Sequence, residues 1–253
     1  MLPDMPRKTI ADARQRDERD KRDTRAASAP RRGSQARVLR IIGGAWRGRR
    51  LRFPAQAAIR PTPDRVRETL FNWLGNEVVG ARCLDLFAGS GALGLEALSR
   101  GAVSVQFIER DRVAARELAR ILEEWGPPRA SEVRARQVPP APQVQPPQVG
   151  AGDVRRADAL AWLTERAVGE QSVPFDIVFL DPPFDSGLLS AAAERLEGGG
   201  WLTERALIYI EHATRAGLPR LPAHWTVRKS GRAGEVGYHL LERAASLLER
   251  VAP

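Results

Sequence analysis

The stretch RCLDLFAGSGALGL, residues 82–95, decides the fold. An apolar run ends at Asp85, a glycine-rich segment follows, and apolar residues at helical spacing begin at Leu93. This order predicts a short strand, a tight turn and a helix. Such a unit is typical of open α/β sheets, in which ligands bind beyond the carboxyl ends of the strands.

The glycines of this turn have the spacing G-x-G-x-x-G, with Gly89, Gly91 and Gly94 at the three positions. Glu109 comes 20 residues after Gly89, at the end of the next apolar run. Glycines let a ligand approach the backbone closely, and an acidic side chain there accepts hydrogen bonds from ribose hydroxyls. NAD and S-adenosylmethionine both require a close backbone and an acceptor for ribose hydroxyls, so this motif alone fits either ligand. Asp85 favours S-adenosylmethionine, because a carboxylate before the turn repels a pyrophosphate and attracts a cationic amino group.

Short apolar runs alternate with helical patterns along most of the remaining chain. This alternation predicts βαβ units, and therefore an α/β fold with a mainly parallel sheet and helices on both faces. The expected strands cover residues 82–87, 103–109, 153–156, 175–181 and 206–211, and the expected helices cover residues 93–100, 112–125, 159–168 and 187–196. Residues 225–229 and 236–241 flank a glycine-containing turn with no helix between them, which predicts a C-terminal antiparallel hairpin.

The second informative stretch is FDIVFLDPPF, residues 175–184, an apolar strand that ends in D-P-P-F. Two prolines end the strand pairing and make the backbone rigid. The Asp181 carboxylate and a neighbouring carbonyl can then converge on one donor group, beside the ring of Phe184. Both this motif and the glycine turn follow parallel strands, so we expect them at one site. The candidate catalytic residues are Asp181, Pro182, Pro183 and Phe184.

Positive charge is concentrated at the amino-terminal end. The chain has a net charge of +9, and residues 1–52 hold 16 Lys+Arg against 6 Asp+Glu, which leaves the other residues close to neutral. A basic arm on a neutral body favours attraction to a polyanion, most commonly a nucleic acid, over a tail that only aids solubility.

Composition divides the chain into regions. Residues 1–36 lack apolar periodicity and are expected to be a disordered basic tail. Residues 37–75 are expected to form a small basic β-hairpin, turning at Gly43 and Gly44, and a helix over 64–74. The remaining predicted regions are an α/β domain over 76–245, a proline-rich loop within it at 127–150, and a C-terminal tail over 246–253.

Several function classes are excluded by composition. Cys83 is the only cysteine, so an intrachain disulfide and a cysteine zinc cluster are ruled out, and its place inside a strand indicates a core residue. His212, His224 and His239 lack ligand spacing and are expected to be structural or surface residues, with no metal bound. The sequence has neither an apolar run of about 18 residues nor a secretory signal, so we expect a cytoplasmic protein.

Four stretches closely resemble class I S-adenosylmethionine-dependent methyltransferases, and among them the bacterial 16S rRNA guanine-N2 methyltransferases of the guanine-966 type. They are RIIGGAWRGRRL, RPTPDRVRETLFNWL, LDLFAGSGALGLEALSRGA and FLDPPF, at residues 40–51, 60–74, 84–102 and 179–184. The resemblance implies a Rossmann-like sheet and methyl transfer from S-adenosylmethionine to N2 of a guanine. It also implies that the partner is 16S rRNA or a small-subunit assembly intermediate. We expect a monomer, although the sequence itself does not give the oligomeric state. The basic tail and the proline-rich loop look additional to the family pattern.

The same resemblance implies roles for single residues at the cofactor site. The glycine turn would hold the methionine end of S-adenosylmethionine, and Glu109 would hold the ribose. Asp158 would accept from the adenine amino group, although an Asp there is also an ordinary helix N-cap. The expected cofactor residues are Asp85, Phe87, Gly89, Ser90, Gly91, Glu109 and Asp158.

For the target, Asp181 and the Pro182 carbonyl would accept both protons of the amine, and Phe184 would stack on the base. The target base has to be unpaired or flipped to reach such a site. Phosphate contacts and stacking would come from the basic amino-terminal region. The expected RNA-binding residues are Trp46, Arg47, Arg49, Arg50, Arg52, Arg60, Thr62, Arg65 and Arg67.

Two other functions fit the motifs. An adenine-N6 methyltransferase acting on DNA or RNA would use D-P-P-F in the same way, and only the wider resemblance favours guanine. A non-catalytic RNA-binding assembly factor could keep the fold, but the presence of Asp85, Glu109 and Asp181 together argues against it.

Overall fold

The computed structural model describes residues 37–53, 62–128, 150–165, 173–184 and 186–244. The predicted tails and most of the predicted proline-rich loop lie outside these residues, as does Arg60. No helix in the described ranges is both long enough and apolar enough to cross a bilayer.

The fold consists of nine strands and five α-helices within the described residues. The strands are β1 (Arg37–Arg40), β2 (Arg50–Phe53), β3 (Arg82–Asp85), β4 (Ser104–Glu109), β5 (Ala151–Arg156), β6 (Phe175–Leu180), β7 (Leu202–Ala213), β8 (Trp225–Ala233) and β9 (Val236–Arg243). The helices are α1 (Asp64–Leu74), α2 (Ala92–Ser99), α3 (Arg112–Trp125), α4 (Ala159–Glu165) and α5 (Leu188–Gly198). The last part of the predicted helix 159–168 falls outside the described residues.

Seven strands form one sheet in the order β5-β4-β3-β6-β7-β9-β8. Strands β3 to β7 are parallel, and β9 joins β7 in antiparallel pairing with β8 beyond it. The predicted α/β fold with a C-terminal antiparallel hairpin is therefore confirmed. The chain builds outward from β3 to β5 and then returns to the other side of β3 with β6. The carboxyl ends of β3 and β6 thus form a topological switch point, where α/β sheets bind ligands.

Two apolar layers cover the faces of this sheet. One contains residues of α1, α2 and α3, among them Phe71, Leu95 and Leu118, together with the β1–β2 hairpin. The other contains residues of α4 and α5, such as Trp162 and Leu196. Burial of both faces accounts for the nearly continuous apolar character of β3 and β6, as is usual for parallel strands.

The amino-terminal hairpin is joined to α2 through a buried carboxylate. Glu96 accepts hydrogen bonds from the backbone N–H groups of Ile42 at 2.8 Å and Gly43 at 2.7 Å. Its Oε1 also accepts from Arg100 Nε at 2.8 Å. A buried carboxylate is tolerable only when it is paired and hydrogen-bonded, so Glu96 fixes the hairpin in place.

Arg67 lies beside Glu96 and Arg100, and its buried position corrects the prediction that it contacts RNA. Its side chain is fully buried and donates to Asp64 Oδ1 at 2.6 Å and to the Arg40 carbonyl at 2.9 Å. It also lies 3.5 Å from Glu96. Its charge is required inside the protein, because it pairs with Asp64 on its own helix and with Glu96 on α2.

Trp46 also differs from the sequence prediction. It is only 2 % exposed, and its ring meets Trp125 edge-on with the centroids 5.2 Å apart. Its backbone N–H donates to Ser99 Oγ at 2.9 Å. The ring is therefore part of the core and cannot stack on an RNA base in this arrangement. Arg49 lies over the Trp125 ring, with its guanidinium carbon 5.3 Å from the ring centroid.

Candidate active site

The glycine turn lies between the ends of β4 and β6. The N–H of Leu86 donates to the Phe179 carbonyl at 3.2 Å, and the N–H of Ala88 donates to the Ile108 carbonyl at 3.0 Å. The turn is thus held by backbone bonds to the strands on both sides of β3. Phe87 is half-buried at its start, and Ser90 is buried near its end.

The glycines of the motif serve different purposes. Gly91 has a φ of +69°, and a Cβ added there would lie 2.5 Å from Leu118 on α3. A Cβ on Gly94 would lie 2.2 Å from the Phe107 ring. Gly94 therefore allows α2 to pack on the sheet, whereas Gly89, with a φ of +51°, shapes the turn itself.

Asp85 is a buried carboxyl group at the end of β3. It is 4 % exposed, and its Oδ2 accepts from the Gly94 N–H at 3.1 Å. Burial raises the pKa of Asp85 to about 7; the Gly94 N–H opposes this rise and the negative charge of Glu109 adds to it. Within the described residues no cationic side chain lies within 4.0 Å of Asp85. A buried acid without a cation fits a ligand that brings its own positive charge, as the amino group of S-adenosylmethionine does.

Glu109 closes the other side of the turn. Its Oε2 accepts from the Gly89 N–H at 2.7 Å, and its Oε1 accepts from the Asp111 N–H at 2.6 Å. These two bonds fix the plane of the carboxylate while each oxygen keeps a further lone pair. Glu109 is half-buried, so the remaining acceptor capacity is accessible to ligand hydroxyls.

Asp158 is exposed at the start of α4. Its Oδ1 accepts from the N–H groups of Leu160 and Ala161, both at 3.0 Å, so it acts as the N-cap of this helix. Its contact with the adenine amino group stays a prediction.

The D-P-P-F loop leaves β6 beside β7. Asp181 is half-buried, Pro182 is buried, Pro183 is exposed and Phe184 is half-buried. The Pro183 carbonyl accepts from Ser186 Oγ at 2.6 Å, which supports the loop from the side of α5. The three motif residues Pro182, Pro183 and Phe184 line a pocket of about 180 Å³. Residues at the end of β7 and on α5 complete this pocket, including His212, Ala213 and Leu189.

Thr62, which was expected among the RNA-binding residues to line the entrance for the cofactor or the base, lies next to Asp181. Its hydroxyl is 3.3 Å from Asp181 Oδ2 and 2.9 Å from Glu211 Oε1. Thr62 is 5 % exposed and Glu211 is 3 % exposed. The Tyr209 hydroxyl donates to the same Glu211 oxygen at 2.8 Å. The sequence reasoning did not select Glu211 or Tyr209, although Glu211 is one more acidic residue at the end of an apolar strand.

The remaining predicted residues are distributed as follows. The exposed RNA candidates are Arg47, Arg49, Arg50, Arg52 and Arg65. Cys83 is buried, as predicted, and burial, with Asp176 and Asp85 nearby, raises the pKa of its thiol far above the ordinary value, so it is no nucleophile. His212 and His239 face each other, with their Nε2 atoms 3.0 Å apart. Within the described ranges, no group of three or more His, Cys, Asp or Glu side chains could hold a metal ion.

Comparison with known proteins places these features in context. Residues 39–242 match the family model described as "Conserved hypothetical protein 95". Ribosomal RNA small subunit methyltransferase D of Escherichia coli K12 is 44 % identical over 207 residues, which cover 82 % of this chain and 91 % of the relative. The solved structure of the putative methyltransferase yhhF from Escherichia coli has a TM-score of 0.65 and 41 % identity, covering 83 % of this chain and all of that chain.

A more distant structure shares the fold. The Thermus thermophilus 16S rRNA N2 G1207 methyltransferase, solved with AdoMet and guanosine, has a TM-score of 0.50 and 22 % identity over 83 % of this chain and 50 % of that one. Its sheet and the present one belong to the same architecture.

Proposed function

Because this chain belongs to the ribosomal RNA small subunit methyltransferase D family, we propose that it transfers a methyl group from S-adenosylmethionine to the exocyclic N2 of a guanine in 16S rRNA. The observation that carries this proposal is the position of Asp181. It follows β6, next to β3, so the D-P-P-F loop and the turn with Asp85 and Glu109 meet at the switch point of the sheet. Donor and acceptor sites are thereby adjacent.

The cofactor is S-adenosylmethionine, which supplies an electrophilic methyl group on a sulfonium. In our assignment the Asp85 carboxylate holds its amino group, and the Glu109 carboxylate accepts from its ribose hydroxyls. The backbone of Gly89 and Gly91 forms the cradle between them. These residues bind and orient; they do not take part in bond making.

Asp181 acts on the target amine in this assignment. The lone pair of the guanine N2 is delocalised into the ring, so this nitrogen is a poor nucleophile. Acceptance of its two N–H bonds by Asp181 and the Pro182 carbonyl favours a pyramidal nitrogen with an available lone pair. Fixed acceptors need little reorganisation during the reaction, which lowers the barrier.

The pocket beside D-P-P-F suits a flipped base. Its volume of about 180 Å³ is large enough for one base, and Phe184 provides a ring for stacking. The exposed arginines of the β1–β2 hairpin would hold phosphates of the surrounding RNA. The substrate in this proposal is 16S rRNA or a small-subunit assembly intermediate in the cytoplasm. The target is a guanine of the guanine-966 type, and the enzyme works as a monomer.

The test is methylation of small subunits and of free 16S rRNA from a strain that lacks its own enzyme of this family. Nucleosides are separated by liquid chromatography and identified by mass spectrometry. We expect N2-methylguanosine at one position. N6-methyladenosine instead would establish the adenine alternative, and cofactor binding without transfer to RNA or DNA would establish a binding protein.

A further inference from the structure

A chain of three buried side chains leads to Asp181. The Tyr209 hydroxyl donates to Glu211 Oε1 at 2.8 Å, and this oxygen lies 2.9 Å from the Thr62 hydroxyl. The same Thr62 hydroxyl lies 3.3 Å from Asp181 Oδ2. Asp181 is therefore linked through one hydroxyl group to a second carboxylate deeper in the protein.

Burial makes this arrangement costly unless it has a use. Tyr209 is 0 % exposed and Glu211 is 3 % exposed, and Tyr209 packs in the apolar layer on this face of the sheet. A carboxylate in such surroundings is stable only when its hydrogen bonds are satisfied. An apolar side chain at position 211 would fill the layer without that cost. Glu211 also lines the pocket beside the D-P-P-F loop, so its carboxylate lies at the candidate site and not only in the core.

The Thr62 hydroxyl faces two carboxylates with a single proton, and this explains why Glu211 needs Tyr209 as a second donor. A threonine hydroxyl has one proton, so it can donate to Glu211 or to Asp181, but not fully to both. The Thr62 proton is therefore shared, with the shorter contact to Glu211 at 2.9 Å and the longer one to Asp181 at 3.3 Å. Tyr209 supplies a second donor to Glu211, so that this carboxylate does not depend on the shared proton alone. Burial, together with Glu211, raises the pKa of Tyr209 well above its ordinary value, so it stays a neutral donor.

We propose that Thr62 and Glu211 are positioning residues, which hold the Asp181 carboxylate in the orientation that accepts the target amine. The inference rests on the proposed function, in which Asp181 is that acceptor. Glu211, itself held by Tyr209, fixes the Thr62 hydroxyl, and Thr62 fixes one oxygen of Asp181. The other oxygen of Asp181 is then available to accept from the target amine.

Single-turnover methyl transfer at saturating cofactor and RNA tests the assignment. Thr62→Val should slow the reaction about tenfold, the effect of losing one ordinary hydrogen bond, and Tyr209→Phe should slow it roughly threefold. Thr62→Ser keeps the hydroxyl and should restore the rate to within about twofold of wild type. In the Asp181→Ala background, Thr62→Val should add less than about a further twofold, because residues that act as a unit are not additive.

Two variants provide matched controls. Glu204→Gln changes an exposed acid on the same strand as Glu211, and Thr69→Val changes a hydroxyl on α1 that bonds only to the Arg65 carbonyl in the described structure. Both should react at the wild-type rate, whereas Glu211→Gln should be slowed. Cofactor affinity should be unchanged in the Thr62, Tyr209 and Glu211 variants. A loss of affinity that accounts for the slower rate would assign Thr62 to the cofactor site and overturn the proposal.

A measurement without substrate separates this inference from the proposed function. The carboxyl carbon signal of Asp181, assigned with Asp181→Asn, should move in Thr62→Val and Glu211→Gln and stay in place in both controls. An unmoved signal, or an equal rate for Thr62→Val and wild type, would refute the positioning role. If the wild-type protein methylates no 16S rRNA, the proposed function fails, and the carbon signal still decides whether Thr62 and Glu211 hold Asp181.

Discussion

Glu109 and Gly89 are joined by a 2.7 Å hydrogen bond between the carboxylate and the backbone N–H of the turn that it faces. The acid at the tip of β4 thus supports the loop after β3 before any ligand binds. Its loss affects both a ligand contact and the shape of the cradle.

Replacement of Glu109 by Ala should therefore weaken S-adenosylmethionine binding by about 1.5 to 3 kcal/mol, the value of hydrogen bonds to a charged group. Glu109→Gln keeps one acceptor oxygen and should lose less. Isothermal titration calorimetry measures both, with the exposed Glu123→Ala on α3 as the control. Unchanged affinity in Glu109→Ala would remove this residue from the cofactor site.

Asp85 should make both stability and cofactor binding depend on pH. Burial raises its pKa from 3.8 to about 7, so the folded protein keeps a proton that the unfolded chain has released. Stability of the free protein contributed by this group is complete below about pH 4 and falls as pH rises to about 7. Affinity for a cationic amino group rises over the same range, because Asp85 ionises.

Thermal unfolding with and without S-adenosylmethionine, between about pH 5 and pH 8, shows both effects. The increase in melting temperature caused by the ligand should grow with pH in the wild type and should be nearly constant in Asp85→Asn. A ligand effect that grows equally in both proteins would mean that another group controls the binding.

For catalysis, Asp181→Ala should lower the single-turnover rate by a factor on the order of a hundred or more, as for loss of a transition-state hydrogen bond. Asp181→Asn keeps one carbonyl acceptor and should be well above alanine. The rate is measured at saturating cofactor and RNA, so that it reports the chemical step. If Asn is as inactive as Ala with intact fold and cofactor binding, the carboxylate's charge or basicity is essential.

The exposed arginines of the hairpin should contribute to the salt dependence of RNA binding. Replacement of Arg47, Arg49, Arg50 and Arg52 by Gln should reduce the slope of log affinity against log salt by up to about 3, roughly 0.7 for each lost phosphate contact. Gln at four exposed arginines elsewhere, Arg116, Arg155, Arg156 and Arg195, provides the control and should leave the slope nearly constant. Equal slopes in both fourfold variants and wild type would assign the hairpin arginines to solubility.

Two glycines of the hairpin allow a matched test of its docking. Gly44 and Gly48 have φ values of +75° and +86°, but a Cβ on Gly44 would lie 1.8 Å from the Ser99 carbonyl oxygen, whereas a Cβ on Gly48 meets open space. Gly48→Ala should cost about 1 to 2 kcal/mol of unfolding free energy, from the left-handed backbone alone. Gly44→Ala should cost at least about 2 kcal/mol more, since the hairpin has to move. Urea unfolding measures both variants. Similar losses of unfolding free energy in Gly44→Ala and Gly48→Ala would mean that the hairpin does not pack on α2 in solution.

The sequence patterns were most informative for acidic residues that directly follow an apolar strand. This pattern located the ends of the strands at Asp85 and Glu109 and the D-P-P-F motif. An acid after an apolar run is unusual, and all residues of each motif lie close together in the sequence. The alternation of apolar runs and helical patterns predicted a mainly parallel α/β sheet, and this prediction is confirmed.

Burial of polar and aromatic side chains could not be predicted in the same way. Arg67 and Trp46 lie in a segment rich in arginine, so composition suggested an exposed surface. Whether such a side chain faces solvent depends on partners far away in the sequence, such as Glu96 and Trp125. Glu211 was missed for a related reason, since its significance comes from Thr62, 149 residues away.

The anchoring of the hairpin on Glu96 limits how relatives of this protein can be recombined. A chimaera joined between Phe53 and Asp64 would place a foreign hairpin against Glu96. This carboxylate accepts hydrogen bonds from the N–H groups of Ile42 and Gly43 in the native hairpin. Helix α2 carries Glu96 in its middle and starts directly after the glycine turn, so an error at this junction would reach the cofactor cradle. Exchange of RNA-contacting parts between family members should therefore transfer the hairpin, α1 and α2 together as one block.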